Sequence, residues 1–419
     1  MSKIKIKNFG PIKEGMLDND GWIDIKKVTV FIGNQGSGKS TVAKLISTFT
    51  WIEKALTRGD YDIKWFSKID RLRNQFLTYH RIENYYNDHR QIFESSVIEY
   101  CGDAYNIKIE YGVLLISEAE KGNYPLPQIM YVPAERNFIA NILTPKQLRL
   151  TSDSLKEFLT EYDKAKNELK ESMRLPINDV YVEYNKLKDI VSIGGAYYKL
   201  NLAEASSGFQ SLVPLYLVSW YLSHSVKKQS EVMKEPMSSE ELERFKNGVA
   251  EIWSNDNLTD EQKRIALSVL SSKFNKTAFI NIVEEPEQNL FPTSQQQMLN
   301  SLLEFNNMNE GNKLIMTTHS PYLINYLTLN VKAKNVYESL IEKKYKLSDP
   351  EILDLNKIVP LSSFIKSENL VIYELDETDG SIKKLRTFEG IPSDKNFLNI
   401  SLGNTNQLYD SLLEIEESL

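Results

Sequence analysis

Cysteine is almost absent: Cys101 stands alone in 419 residues. No disulfide can form within the chain, which fits a reducing compartment, and a cytoplasmic location is expected. Histidine is nearly as scarce. His80, His89, His224 and His319 are scattered, and with one thiol they cannot complete a structural zinc site. Long apolar runs are missing too. The opening MSKIKIKNFG lacks the apolar core of a signal peptide, and nothing approaches the roughly 18 apolar residues of a membrane span. No contact with a membrane is expected. Positive charge is in deficit: 50 Lys and Arg stand against 57 Asp and Glu, a net −7. Any nucleic acid would therefore need a local basic patch. There is no internal repeat and no low-complexity tract. What remains is an ordinary globular composition, 41% hydrophobic and 26% charged, on a chain long enough to bury a large core.

Residues 3–9 and 23–32 read as strands, 39–56 as a helix, and 57–95 as a polar, aromatic and helical segment. Strands follow at 96–101 and 105–117, meeting at Gly102-Asp103, and at 127–133. Ser154 and Glu157 predict a capping box for a helix within 144–174, with Leu155, Phe158, Leu159, Tyr162 and Leu169 on one face. Strands return over 180–202 around Gly194-Gly195. A helix is expected from Ser207 to about His224. The stretch 225–275 is charged and helical, with starts at Ser238 with Glu241 and at Thr259 with Gln262. Segment 278–283 is almost continuously apolar, as in a strand buried on both faces. Helix 293–305, strand 313–318 and a helix near 321–328 complete the pattern. This alternation predicts an α/β fold with a mainly parallel sheet.

Four short motifs carry chemistry. Gly33-Asn34-Gln35-Gly36-Ser37-Gly38-Lys39-Ser40 follows an apolar strand and opens a helix. In that context the glycines let successive backbone N–H groups curl round phosphates. The helix N-terminus adds its dipole, and Thr41 extends the site by one residue. Lys39 sets a cation at the β- and γ-phosphates, and the Ser40 hydroxyl can ligate Mg²⁺. ATP and Mg²⁺ are therefore the expected ligands. Second, the apolar run Ile280 to Val283 ends in Glu284-Glu285-Pro286-Glu287, two carboxylates at a strand end. One can hold the hydration shell of the metal and the next can polarise an attacking water. Third, Thr317-Thr318-His319-Ser320-Pro321 puts a histidine after another apolar strand. It can reach the γ-phosphate or the water. Fourth, Ser206-Ser207-Gly208-Phe209-Gln210 precedes a helix and offers a second anion site, or simply an N-cap.

Together these look like an ABC-type ATPase head, with the order of Walker A, signature, Walker B and switch histidine. The Glu-Glu-Pro-Glu run with Leu290-Phe291-Pro292 downstream resembles ATPases of the overcoming-lysogenization-defect type. So do KIKNFGPIK, Tyr131-Val132-Pro133-Ala134-Glu135-Arg136-Asn137 and Gly390-Ile391-Pro392-Ser393-Asp394-Lys395-Asn396. Relatives of that type serve the Septu, retron and PARIS anti-phage systems. The resemblance implies a P-loop NTPase of the ABC-head type with an N-terminal antiparallel β lobe and helical insertions. One head would cover 1–419. It would carry an inserted lobe at 51–175 with a helical part at 144–174, a helical insertion at 225–275 and an α+β extension at 330–419. The resemblance further implies a head-to-tail homodimer, or a higher even oligomer, enclosing two ATP molecules. Ser206, Ser207, Gly208 and Gln210 of one copy would face the phosphate held by Lys39 of another. Glu285 would be the catalytic base, Glu284 and Ser40 the Mg²⁺ partners, and His319 the switch. Glu135 or Arg136 falls near the place of the Q-loop. Phe209 departs from the second glycine of the usual signature.

The expected function is that of an ATPase sensor or scaffold in anti-phage defence, controlling a separate effector, a nuclease. Two functions compete with it. A DNA-repair ATPase would bind nucleic acid itself, through Arg71, Arg73 and Arg81 with Phe76 and Tyr79, although helical amphipathicity explains that stretch as well. A pseudo-ATPase would use ATP only as structural glue, against which the intact Glu285 speaks. The acidic run 374–380 reads as a strand–turn hairpin, and no nuclease is expected in the chain.

Overall fold

A computed structural model describes the chain apart from residues 1, 87–94, 120–123, 142–151, 232–238, 256–257, 259–261, 264–265, 267–269, 271–275 and 418–419. The helix starts expected at Ser238 and Thr259 lie outside the described residues, as does 144–151.

The chain opens with β1 (Lys3–Lys7), β2 (Gly15–Met16), β3 (Trp22–Asp24) and β4 (Val28–Gly33), then helix α1 (Lys39–Arg58) and the short α2 (Ile63–Phe66). Strands β5 (Val97–Cys101), β6 (Tyr105–Glu110), β7 (Val113–Glu118) and β8 (Pro127–Val132) lead to α3 (Asp153–Glu168). Next come β9 (Met173–Arg174), β10 (Tyr181–Asn185), β11 (Ile190–Gly194), β12 (Lys199–Asn201), α4 (Ser207–Glu231) and α5 (Ser239–Ser254). The last stretch holds β13 (Ala278–Glu284), α6 (Pro292–Asn307), β14 (Lys313–Thr318), α7 (Pro321–Glu342), α8 (Pro350–Ile358), β15 (Leu370–Leu375), β16 (Ser381–Lys384) and α9 (Phe397–Glu417).

The central sheet has the order β2-β16-β15-β4-β14-β13-β8. Its five strands from β15 to β8 are parallel, and β16 runs antiparallel to β15. Every residue of β4 and of β13 is buried. That is what a strand covered on both faces demands, and it is why neither alternates in polarity. Phe31, Ile282 and Ile315 point to one face, into a core shared with α1 and the first antiparallel sheet. Val30, Ile32, Val283 and Met316 point to the other, against residues of α3, α4, α6 and α7. The period of two thus feeds two cores from one sheet.

Two antiparallel sheets flank this mainly parallel centre, β3-β1-β5-β6-β7, the expected N-terminal antiparallel lobe, and β12-β11-β10-β9, so the whole is mixed α/β. The first sheet is pinned to α1 by Glu53. Its carboxylate accepts from the Tyr100 hydroxyl at 2.8 Å and from the N–H groups of Ala104 at 2.6 Å and Tyr105 at 3.2 Å. Gly102 is required there, because a Cβ would stand 2.1 Å from the Glu53 carboxylate.

Several boundaries differ from those read in the sequence. The run 105–117 splits into β6 and β7 at Tyr111-Gly112, both with positive φ, a tight hairpin turn. Helix α3 is capped by Ser152, whose hydroxyl accepts from Leu155 N at 3.3 Å, and not by Ser154, which is buried inside the first turn. Glu157 is instead bonded to the Tyr79 hydroxyl. Helix α3 ends at Glu168, and β9 takes up 173–174. Beyond the end of α1 at Arg58, segment 59–86 holds α2, a helical stretch 71–79 that includes the wider π-helical winding Leu72–Leu77, and the turn Glu83–Tyr85. Among the described residues, no helix is long and apolar enough to cross a membrane.

Candidate functional site

Strands β4, β14 and β13 lie side by side and end together. Ile32 is level with Thr318, and Thr317 with Glu284, so the loops after the three strands open at one edge. Ligands of parallel sheets bind at such an edge.

The loop after β4 folds back because three glycines hold φ values most residues avoid: Gly33 at 148°, Gly36 at 79° and Gly38 at 99°. A Cβ on Gly33 would meet the Leu375 carbonyl at 2.3 Å, and one on Gly38 would press Ile12 at 2.9 Å. A Cβ on Gly36 would meet nothing within 4 Å, so the loop is open on that side. Lys39 is 5% exposed and donates to the carbonyls of Gly33 at 3.0 Å and Asn34 at 2.7 Å. Ser37 and Thr41 are buried beside it. Asn34 is braced from outside the loop, its amide donating to Glu377 at 2.8 Å.

Burial lowers the Lys39 pKa to about 8, against the opposing pull of Glu285, Glu287, Glu377 and Glu284. A polyphosphate in contact with the ammonium raises that value again. Nucleotide binding is therefore expected to take up close to one proton near pH 9 and far less near pH 7, and to weaken as pH rises through 8. Calorimetry in buffers of different ionisation enthalpy counts those protons; a count independent of pH would contradict the assignment.

At the end of β13, Glu284 is buried. One carboxylate oxygen accepts from Ala134 N at 3.1 Å, while Oε1 has no partner among the described residues. Glu285 sits at φ 45°, in the left-handed region that non-glycine residues rarely adopt. Its N–H donates to the Thr317 carbonyl at 2.9 Å, and its own carbonyl accepts from Arg136 at 2.6 Å. The twist aims its carboxylate at His319, with Oε1 3.7 Å from Nε2. Burial and the nearby Lys39 lower the His319 pKa, which keeps the ring neutral at neutral pH. The His319 N–H donates to Glu287 at 2.8 Å.

Arg136 is the hidden member of this constellation. It is fully buried, yet it bonds only carbonyls: Glu284 at 2.7 Å, Glu285 at 2.6 Å and Ser211 at 3.1 Å, besides Pro133 at 3.4 Å. The guanidinium thus ties the carboxylate turn to the start of α4. Asn289 adds a second tie, donating to the Ser211 hydroxyl at 3.1 Å. Ser206 and Ser207 are exposed at the start of α4. The Gln210 amide turns back onto the carbonyls of Ala203 and Ala205, each at 3.0 Å, rather than outward.

The sequence therefore names Lys39, Glu284, Glu285 and His319, and the fold brings them to one edge. It leaves Ser206 and Ser207 exposed at the start of α4, with Gly208 packed close to the Asn289 carbonyl beyond the carboxylate turn. Reading the sequence missed Glu287, though it stands in the same motif, and Glu377, set aside as part of a hairpin. That hairpin exists, joining β15 to β16, but its tip reaches the Asn34 side chain. Among the described residues, no group of three or more His, Cys, Asp or Glu has the geometry of a metal site.

Residues 136–324 match the AAA ATPase domain family. The matched segment starts at Arg136 and contains Glu284, Glu285 and His319, while the loop 33–40 lies upstream of it. With that loop at the edge shared by the two carboxylates, the chain has the fold of a P-loop ATPase. The sequence matches no curated protein. Among solved structures the chain is similar to the SMC head domain from Thermotoga maritima, at 9% identity and TM-score 0.35, over 92% of this chain and 98% of that one. It is also similar to a dimeric bacterial ABC transporter cassette, at 11% identity and TM-score 0.23, over 93% and 100%. Overlaps this loose carry nothing about function.

Proposed function

We propose that the chain is an ABC-type ATPase that hydrolyses ATP between two copies of itself and thereby controls a separate effector, a nuclease, in anti-phage defence. One observation carries the catalytic part. Lys39, Glu284, Glu285 and His319 meet at one sheet edge, around an ammonium whose present partners are carbonyl oxygens. In this reading, phosphate oxygens would replace them as partners of the ammonium. In this reading Glu285 accepts a proton from water as the water attacks the γ-phosphorus, the bond to the β-phosphate oxygen breaks, and ADP leaves. Neutral His319 orients the water or the γ-phosphate from the other side. Mg²⁺ fits the donors at hand: the Ser40 hydroxyl and Glu284, whose buried Oε1 lacks a partner, would hold it with phosphate oxygens and so neutralise charge.

Dimerisation supplies what one copy lacks. Ser206 and Ser207 are exposed on the corner of α4 that Arg136 locks to the carboxylate turn. A second copy would offer its own pair to the phosphates. The defence role rests on the resemblance of the Glu-Glu-Pro-Glu run and the Gly390 to Asn396 segment. Three side chains of the face considered for direct DNA binding are engaged within the chain. Arg71 lies over the Trp65 ring at 4.2 Å, Phe76 packs on Trp51, Trp65 and Phe66, and Tyr79 is bonded to Glu157. Those side chains serve packing within the chain.

Lys39→Ala tests the site. ATP affinity is expected to fall about 100-fold or more, the worth of a buried charge-assisted contact. Unchanged affinity by calorimetry would remove the assignment. Loss of protection against phage in cells carrying the same substitution tests the defence role.

A further inference from the structure

A second cavity lies away from the sheet edge, between α1, the turns at 72–80, β8 and α3. Its volume is about 190 Å³. Its buried lining includes Ser47, His80 and Tyr131, and its more open lining includes Trp51, Phe76 and Glu157. The proposed reaction does not use it.

His80 is the group that needs explaining. It is 2% exposed, and neither ring nitrogen has a hydrogen-bond partner among the described residues. Burial and Lys44 lower its pKa to about 3, so the ring is neutral, with one donor and one acceptor unspent. Buried polar groups are rarely left so. The walls are aromatic. Tyr131 stands edge-on to His80 with centroids 4.7 Å apart, and Trp51 meets Phe76 at 5.4 Å. Phe76 belongs to the π-helical winding Leu72–Leu77, a geometry that recurs at functional sites. Aromatic walls favour a flat ring. The acidic group, Glu157, is already engaged by the Tyr79 hydroxyl. A cavity of about 150 Å³ is known to hold benzene, so this one has room for one ring or two small fused rings.

One lining residue connects the cavity to the catalytic edge. Tyr131 is fully buried next to Glu284, and burial first, then that carboxylate, raises its phenol pKa. The Tyr131 hydroxyl and Glu284 Oε1 are both without a hydrogen-bond partner. A small shift of the Tyr131 ring would bring its hydroxyl onto the Glu284 carboxylate.

We propose that this cavity is a regulatory site for a small neutral heteroaromatic molecule of the nucleobase type, which pairs with His80 and acts on Glu284 through Tyr131. The binding stands on the cavity alone; its effect on turnover rests on the ATPase reading above.

The probe is benzimidazole, neutral and two-ringed with one donor and one acceptor, titrated by calorimetry into the full chain. One molecule per chain is expected to bind. His80→Phe, which keeps the ring and removes its nitrogens, should weaken it about tenfold, the size of one buried hydrogen bond. Ser47→Leu, which fills the space, should abolish it. Hydrolysis at saturating MgATP should change about fivefold or more in wild type on adding benzimidazole, and not in Ser47→Leu. Absence of saturable heat from a preparation that still binds MgATP would show a solvent-filled cleft and overturn the proposal. Equal binding by wild type and both variants would place the probe elsewhere and overturn it too. Binding without any change in hydrolysis would overturn the link through Tyr131. If Lys39→Ala bound ATP like wild type, the ATPase reading would fail, while His80-dependent binding of benzimidazole would stand.

Discussion

Glu285→Gln is expected to bind ATP normally and to hydrolyse it about 10²- to 10⁴-fold more slowly, the usual contribution of a general base. The change is nearly isosteric. The bonds that hold position 285 in its left-handed twist run through its backbone, from its N–H to Thr317 and from Arg136 to its carbonyl. The turn should therefore survive, and only the proton acceptor is lost. Glu287, a further carboxylate of the turn, holds the His319 N–H with one of its oxygens. With cleavage blocked, ATP persists between two copies, and dimer should accumulate in ATP but not in ADP. Phosphate release and sedimentation velocity measure the two effects. Normal turnover would mean that another base acts, and slow turnover without dimer would remove the head-to-tail arrangement.

What could be read from the sequence divides along the range of the forces involved. The loop 33–40 is local: its glycines, lysine and flanking strand and helix are contiguous, so pattern and structure coincide. Strands β13 and β14 were equally legible, because burial on both faces leaves continuous apolar runs. Helix α7 was not. It was expected near 321–328 but extends to Glu342, through a second half that is mostly exposed. The hairpin between β6 and β7 was missed because Tyr111 adopts a positive φ beside Gly112, which a tyrosine rarely does. The site residues that escaped notice act across long separations. Glu377 meets Asn34 only because β15 lies next to β4 in the sheet. Nothing in the sequence pairs them. Arg136 was named beside Glu135 as a Q-loop neighbour, and its role stayed hidden for a related reason. In sequence it is an ordinary arginine near a Q-loop position, and only the fold reveals that four carbonyls surround it.

Arg136 therefore carries the other large expected effect. Arg136→Met should lower the free energy of unfolding by about 3–5 kcal/mol, the cost of breaking a buried charged network from one side. The carbonyls of Glu284, Glu285 and Ser211 would lose the donors that now satisfy them, and each unsatisfied buried acceptor costs about 1–3 kcal/mol. Methionine fills much of the volume, so the loss is one of hydrogen bonding more than of packing. Domains of ordinary stability have about 5–15 kcal/mol in hand, so a folded but weakened protein is expected. Arg136→Lys discriminates further. It keeps the charge but gives up the planar fork, and one ammonium cannot reach carbonyls on two sides. Its hydrolysis should fall well below wild type while its ATP affinity stays close, because Lys39 and the 33–40 loop do not depend on the guanidinium. Urea denaturation and steady-state hydrolysis separate the two consequences. If Arg136→Met cost less than about 1 kcal/mol, the buried guanidinium would be incidental to the turn, and the strained Glu285 would have to be held by Thr317 alone.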